Sequence, residues 1–299
     1  MRTAFYTHLG RPHVGQVSAD GLSVTAFVLT PAEAQRGVLS LILCAADGAA
    51  LPELASASVP VSQVTLNAPI PHPRRNIFCA GLNYHAHAKE LRDSVFQGDK
   101  GAVDQWPIVF SKVPETVVGT GADVRLPLAS LSDQIDYEAE LAVVIGTAGR
   151  NISRENAMKH IYGYTIVNDV TARDVQMRHA QWHLGKSFDT FCPMGPWIVS
   201  ADELDGTDAR VRCWVTPAGG AAELRQDART TDLIFDIATL IETCSRGITL
   251  LPGDVIATGT PAGVGMAMTP PRWLRHGDVV RIEIDGIGTL QNRFVAEGT

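Results

Sequence analysis

Cysteine is scarce in this chain. The five present (Cys44, Cys79, Cys192, Cys213 and Cys244) are odd in number, widely scattered and form no C-x-x-C pair. That argues against a disulfide framework and against a thiolate zinc site. Basic charge is also short: 25 Lys and Arg against 32 Asp and Glu leave a net charge of -7, so no basic face is expected for a nucleic-acid partner. Long hydrophobic runs are missing. The longest, Val38 to Leu51, is interrupted by Asp47 and too short to span a bilayer, so no membrane role is expected. Met1 to Pro12 shows no apolar signal core and no cleavage pattern, which makes the cytoplasm the expected compartment. Asn151-Ile152-Ser153 is then a chance sequon. No like-charge tail, internal repeat or low-complexity segment is visible.

What is present is a 299-residue chain, 45% hydrophobic and 19% charged, with ample material for a core. Residues 1–70 read as a small α+β domain. Arg2 to Tyr6, Pro12 to Val17 and Leu22 to Val28 are short strands. Thr30-Pro31-Ala32-Glu33 has the form of a capping box with proline in the first turn, predicting a helix to about Ala45. Pro60, Pro69, Pro71 and Pro73 then mark a linker, and 71–299 is the expected second domain. That part is dense in short strands without a strand–helix rhythm, so the fold class is mainly β with some α (α+β), as a barrel or sandwich. One helix is expected after Thr231, with an apolar stripe of Leu233, Ile234, Ile237, Leu240 and Ile241 and a stop at Gly247.

The chain is organised around Asp136-Tyr137-Glu138-Ala139-Glu140-Leu141-Ala142-Val143-Val144-Ile145-Gly146. Its apolar end reads as a buried strand. Glu138 and Glu140, one residue apart, point to the same face, roughly 7 Å apart along an extended chain. Two readings are open: a solvated strand end, or a pair of carboxylates around a hard cation. Asp169, behind the apolar Tyr164-to-Val167 strand, could add a third carboxylate or simply make a turn.

Other stretches carry chemistry of their own. His87 and Glu90 are three apart, so on a helix the carboxylate would orient the imidazole as a general base; a surface helix would carry the same pair. Gly185-Lys186-Ser187 lacks the first glycine of a phosphate loop, and no helix follows it. Gly253 to Gly265 is a strand entering a glycine-rich loop whose N–H groups could approach an anionic ligand; it has no dinucleotide fingerprint.

Taken in order, these motifs resemble the fumarylacetoacetate hydrolase family from Arg75 to about Phe294. The pieces are Gly81-Leu82-Asn83-Tyr84, His87 with Glu90, Val109-Phe110-Ser111-Lys112, Asp136 to Leu141, Gly163-Tyr164, Asn168 to Asp174, Lys186 to Thr190 and Gly259-Thr260-Pro261. The spacing Asn-Tyr-x-x-His-x-x-Glu belongs to the shorter branch, and Leu82 stands where acylpyruvases of that branch often carry arginine. The resemblance implies a mixed β-sandwich roll, a homodimer, and Mg²⁺ or Mn²⁺ held by Glu138, Glu140 and Asp169. It implies a catalytic dyad of His87 and Glu90 on a lid, Lys186 beside the metal, and substrate contacts at Lys112, Gln176 and Thr260.

The expected substrate is a small keto acid. The leading expectation is hydrolysis of a C–C bond in a β-diketo acid of the acylpyruvate or fumarylpyruvate type through a metal-stabilised enolate. The alternative is decarboxylation or isomerisation of oxaloacetate or a 2-hydroxymuconate-type diacid, as in aromatic catabolism. Lid closure over 85–105 is expected to use Gly98 and Gly101 as flexible points, with Trp106, Arg178, His179, Trp182 and His183 either shaping a distal pocket or packing.

Overall fold

A computed structural model describes residues 1–94, 106–178 and 180–297, with backbone alone for 91–94. The expected flexible points Gly98 and Gly101, and His179, lie outside the described residues. The architecture is mixed α+β, dominated by sheet. In the larger sheet the strand order is Leu54–Pro60, Ser23–Phe27, Arg11–Val17, Arg2–His8, Cys192–Ser200, Ile161–Asn168, Ala139–Ile145, Val255–Ala257, Ile77–Gly81 and Ile108–Lys112. The amino-terminal strands extend this same sheet, since Arg2 and Thr3 pair with Val199 and Ile198. A five-stranded sheet, ordered Glu223–Arg229, Arg210–Thr216, Val279–Ile284, Gly288–Ala296 and Asp123–Leu126, packs against one face. No described helix is long and apolar enough to cross a membrane.

The acidic strand, Ala139–Ile145, lies inside the large sheet and is buried along its whole length. Its alternation feeds two cores. Leu141, Val143 and Ile145 join the cluster shared with the five-stranded sheet, whereas Ala142 and Val144 join the cluster under the Leu39–Ala46 helix. Burial on both faces explains why the stretch reads as an unbroken apolar run. Each Leu, Ile or Val so buried contributes about 1.5–3 kcal/mol.

Two helices differ from their sequence reading. Thr30 and Glu33 form the capping box, but the helix covers only Pro31–Ala34 before a second one runs Leu39–Ala46. Gly37 intervenes with φ +64, and the Val38 N–H turns to Pro69 O. The later helix covers Ile237–Ser245, without Leu233 and Ile234. Asp236 caps it by accepting from Thr239 N, a stronger start signal than Thr231. Leu233 instead bridges to Tyr84, and Ile234 N–H donates to Asn83 O.

Candidate active site

The site forms where the acidic strand leaves the sheet. Ala139 pairs with Asn168 across the neighbouring antiparallel strand. This register brings Asp169 beside Glu138: Asp169 N–H donates to Glu138 O at 2.9 Å, and Glu138 N–H donates to Asn168 Oδ1 at 3.0 Å. Glu138, Glu140 and Asp169 each offer an oxygen within 4.8 Å of the others, and all three are buried.

Cations surround them. Lys186 ends the short helix His183–Lys186, which packs tightly because Gly185 has no Cβ; one there would lie 2.5 Å from Gln176 N. Its Nζ donates to Glu138 Oε2 at 2.5 Å and to Asp169 Oδ2 at 2.6 Å, and stands 4.8 Å from the centre of the Phe110 ring. Arg173 bridges Asp136 (2.9 Å) and Glu138 (2.7 Å). Lys112 donates to Asp169 Oδ1 at 2.7 Å and to Val170 O at 3.0 Å.

Buried carboxylates at this centre (Asp136, Glu138, Glu140, Asp169) therefore exceed the buried cations (Lys112, Arg173, Lys186) by one. The imbalance falls on Glu140. Burial pushes its carboxyl well up, with the Asp169 and Glu138 charges adding to the effect; Lys186 and the Gly259 N–H oppose it without prevailing. At Glu138 burial also pushes up, but Arg173 and Lys186 outweigh it and hold the carboxyl well below the usual range. Lys186 is held above its ordinary value because Asp169 and Glu138 outweigh its burial. Three buried carboxylates with one uncompensated charge are a donor set that fits a hard divalent cation.

Opposite stands His87, on the helix His85–Ser94, with Nδ1 3.2 Å from Glu90 Oε2. A carboxylate only accepts, so Nδ1 carries the hydrogen, which in a neutral imidazole leaves the lone pair on Nε2. Glu90 also accepts from Gly263 N–H at 3.0 and 3.2 Å. His87, Glu138, Glu140, Arg173, Lys186, Gln176 and Thr260 line one cleft, with Leu82, Trp182 and Met266 among its apolar walls. Leu82 has a left-handed backbone (φ +50). Asn83 braces that turn, donating to Thr258 O and Phe235 O and accepting from Phe235 N.

Some expectations land elsewhere. Lys112 is 0% exposed and its ammonium lies behind Asp169, away from the cleft wall. The glycine-rich loop does present N–H groups to anions, but these are the chain's own carboxylates: Gly259 N serves Glu140, Gly263 N serves Glu90 and Gly265 N serves Asp136. Of the proposed distal residues Trp182 lines the cleft and stacks edge-on to Phe110, whereas the His183 ring bonds to Ser111 O and Trp106 lies exposed beneath Arg246. Asp136 and Arg173, which lie in quoted motifs, and Gln226, which lies in none, carry structural weight that the sequence does not reveal. Gln226 reaches from the second sheet to accept from Ala139 N and donate to Thr260 Oγ1.

A carboxylate triad at the edge of a buried sheet, facing a braced histidine, defines an enzyme site. The chain belongs to the fumarylacetoacetate hydrolase family: the family model described as fumarylacetoacetate (FAA) hydrolase C-terminal matches residues 76–295. It is 49% identical over 242 residues to the oxaloacetate tautomerase YisK of Bacillus subtilis (strain 168), covering 81% of this chain and 77% of that one. Among solved structures it resembles a fumarylacetoacetate hydrolase from psychrophilic Exiguobacterium antarcticum (39% identity, TM-score 0.83, covering 99% and 100%). It also resembles 5-carboxymethyl-2-hydroxymuconate delta-isomerase from Mycobacterium smegmatis (33% identity, TM-score 0.78, covering 99% and 100%).

Proposed function

We propose that this enzyme is a keto–enol tautomerase of a short 2-keto diacid of the oxaloacetate type. The observation that carries the reading is that His87, held at Nδ1 by Glu90, lines one cleft with Glu138, Glu140 and Lys186, which leaves Nε2 as the nitrogen for proton transfer. Moving one proton between carbon and oxygen requires such a carrier and no attacking water. The names of the tautomerase and isomerase relatives support this isomerising chemistry over the C–C hydrolysis that leads the sequence reading.

Glu138, Glu140 and Asp169 would hold Mg²⁺ or Mn²⁺, which when bound supplies positive charge for the substrate's 2-oxo and carboxylate oxygens. The chain's own residues do the rest. His87 Nε2 takes the proton from C3 of the keto form, while Glu90 at Nδ1 stabilises the imidazolium. Lys186 keeps its proton and offers positive charge where negative charge develops on oxygen. His87 then returns the proton to that oxygen, giving the enol; the reverse sequence gives the keto form. Gln176 and Thr260 contact the substrate carboxylate, and Lys112 fixes Asp169 from behind. The working unit is a homodimer, supported by family resemblance alone and tested by sedimentation velocity.

The test follows the ultraviolet absorbance of enol-oxaloacetate in dilute buffer with Mg²⁺, Mn²⁺ or EDTA, for the wild type and His87→Asn. A parallel assay records pyruvate. Metal-dependent enol decay without pyruvate, lost in His87→Asn, is the expected result. Pyruvate appearing as fast as the enol disappears would replace tautomerisation with decarboxylation, and no acceleration of enol decay would end the proposal.

A further inference from the structure

Tyr137 separates the two residues that anchor the acidic strand's mouth, yet the chemistry above gives it no task. It is 1% exposed, and its hydroxyl donates to Gly263 O at 2.7 Å. The N–H of the same glycine donates to Glu90. Gly263 is thus gripped on both sides, by the segment that leads into the acidic strand and by the helix that carries His87. Its position tolerates little else: φ is +106, and a Cβ would meet Arg225 O at 1.8 Å. Asp136 holds the next turn of the loop through Gly265 N (2.8 Å) and Met266 N (3.0 Å).

We propose that Tyr137 is a positioning residue: its hydroxyl sets Gly263, and through that N–H the Glu90 carboxylate that orients His87. Tyr137, Gly263, Glu90 and His87 are linked in turn by hydrogen bonds, from the buried segment before the acidic strand to the imidazole that lines the cleft. The tether couples docking of the His85–Ser94 helix to the segment, Tyr137 and Glu138, that leads into the acidic strand. A loose Gly263 would leave Glu90 accepting from His87 in a wider range of geometries, at the expense of the turnover rate rather than of substrate or metal binding.

The kinetic readout rests on the tautomerase reading; the exchange readout does not. Tyr137→Phe keeps the ring and removes only the hydroxyl. In the full chain with Mg²⁺, kcat for enol-oxaloacetate should fall about tenfold, the scale of one net hydrogen bond, with KM and Mg²⁺ affinity unchanged. In a Glu90→Ala background the same substitution should lower kcat no further, because the line is already cut. Wild-type kcat in Tyr137→Phe, or an equal loss in both backgrounds, overturns the proposal. Hydrogen exchange on the same proteins should show faster exchange at Gly263 and across 85–90 in both single variants. Unchanged exchange overturns the tether even if the wild type turns over no oxaloacetate, a result that would by itself count only against the proposed function.

Discussion

Lys112 Nζ lies 2.7 Å from Asp169 Oδ1, and neither side chain is reached by solvent. Lys186 holds the other oxygen of the same carboxylate, so Asp169 is gripped from behind by one lysine and from the cleft by the other. The pairing makes the rear lysine part of the foundation of the carboxylate cluster.

Lys112→Met keeps the stem and deletes the charge. A buried carboxylate that loses one of its partners costs about 3–5 kcal/mol, so the urea midpoint should drop markedly. Wild-type stability with a raised KM would instead return Lys112 to a direct substrate role.

The charge surplus on the carboxylates predicts a specific response to metal. Mg²⁺ or Mn²⁺ should raise the melting temperature of the wild type, by about 2.7 kcal/mol of stabilisation at one hundred times Kd. Glu140→Gln removes the uncompensated charge, so in EDTA this variant should melt above the wild type. It should gain little when Mg²⁺ is added. A Glu140→Gln protein that is less stable in EDTA, or fully responsive to Mg²⁺, would show that the surplus lies elsewhere.

Much of this centre is legible in the sequence itself. Spacing by two placed Glu138 and Glu140 on one face, and spacing by three put His87 beside Glu90 once the segment proved helical. Those are local periodicities, which a sequence displays directly. Arg173 and Gln226 escaped because their partners lie 35 to 87 residues away: Arg173 joins Asp136 and Glu138, and Gln226 reaches Ala139. Only the strand register and the packing of the second sheet bring those pairs together. Lys112 illustrates the same limit. Its neighbours in sequence give no sign of whether it faces the cleft or the far side of Asp169, because the answer depends on the Asn168-Asp169 turn of a different strand.

His87→Asn should separate proton transfer from metal binding. The variant keeps a polar side chain but has no basic nitrogen, and general-base loss lowers kcat by about 10²–10⁴. Because His87 is not among the three clustered carboxylates, the stabilisation by Mg²⁺ should persist. If His87→Asn abolishes the thermal response to Mg²⁺, the imidazole belongs to the cation site instead.

Far from the cleft, Arg75 Nε lies 3.3 Å from Asp254 Oδ1, while Leu251 N–H donates to Oδ2 at 2.7 Å. Burial pushes the Asp254 carboxyl up, and Leu251 and Arg75 pull it down without cancelling the rise. A folded value above the unfolded one means that stability from the protonated form is complete below the unfolded value, near pH 4. That stability is lost as pH climbs through the folded value, so near neutrality the charged form needs its arginine. Arg75→Ala raises the carboxyl further and should cost about 1 kcal/mol at neutral pH, given the partial exposure of the arginine. The gap from wild type should close as pH falls towards about 4, when both proteins carry a neutral Asp254. Urea unfolding at a series of pH values measures it. A gap that stays constant would assign the loss to the other bond Arg75 makes, to Thr249 O at 3.1 Å, which no titration in that range affects.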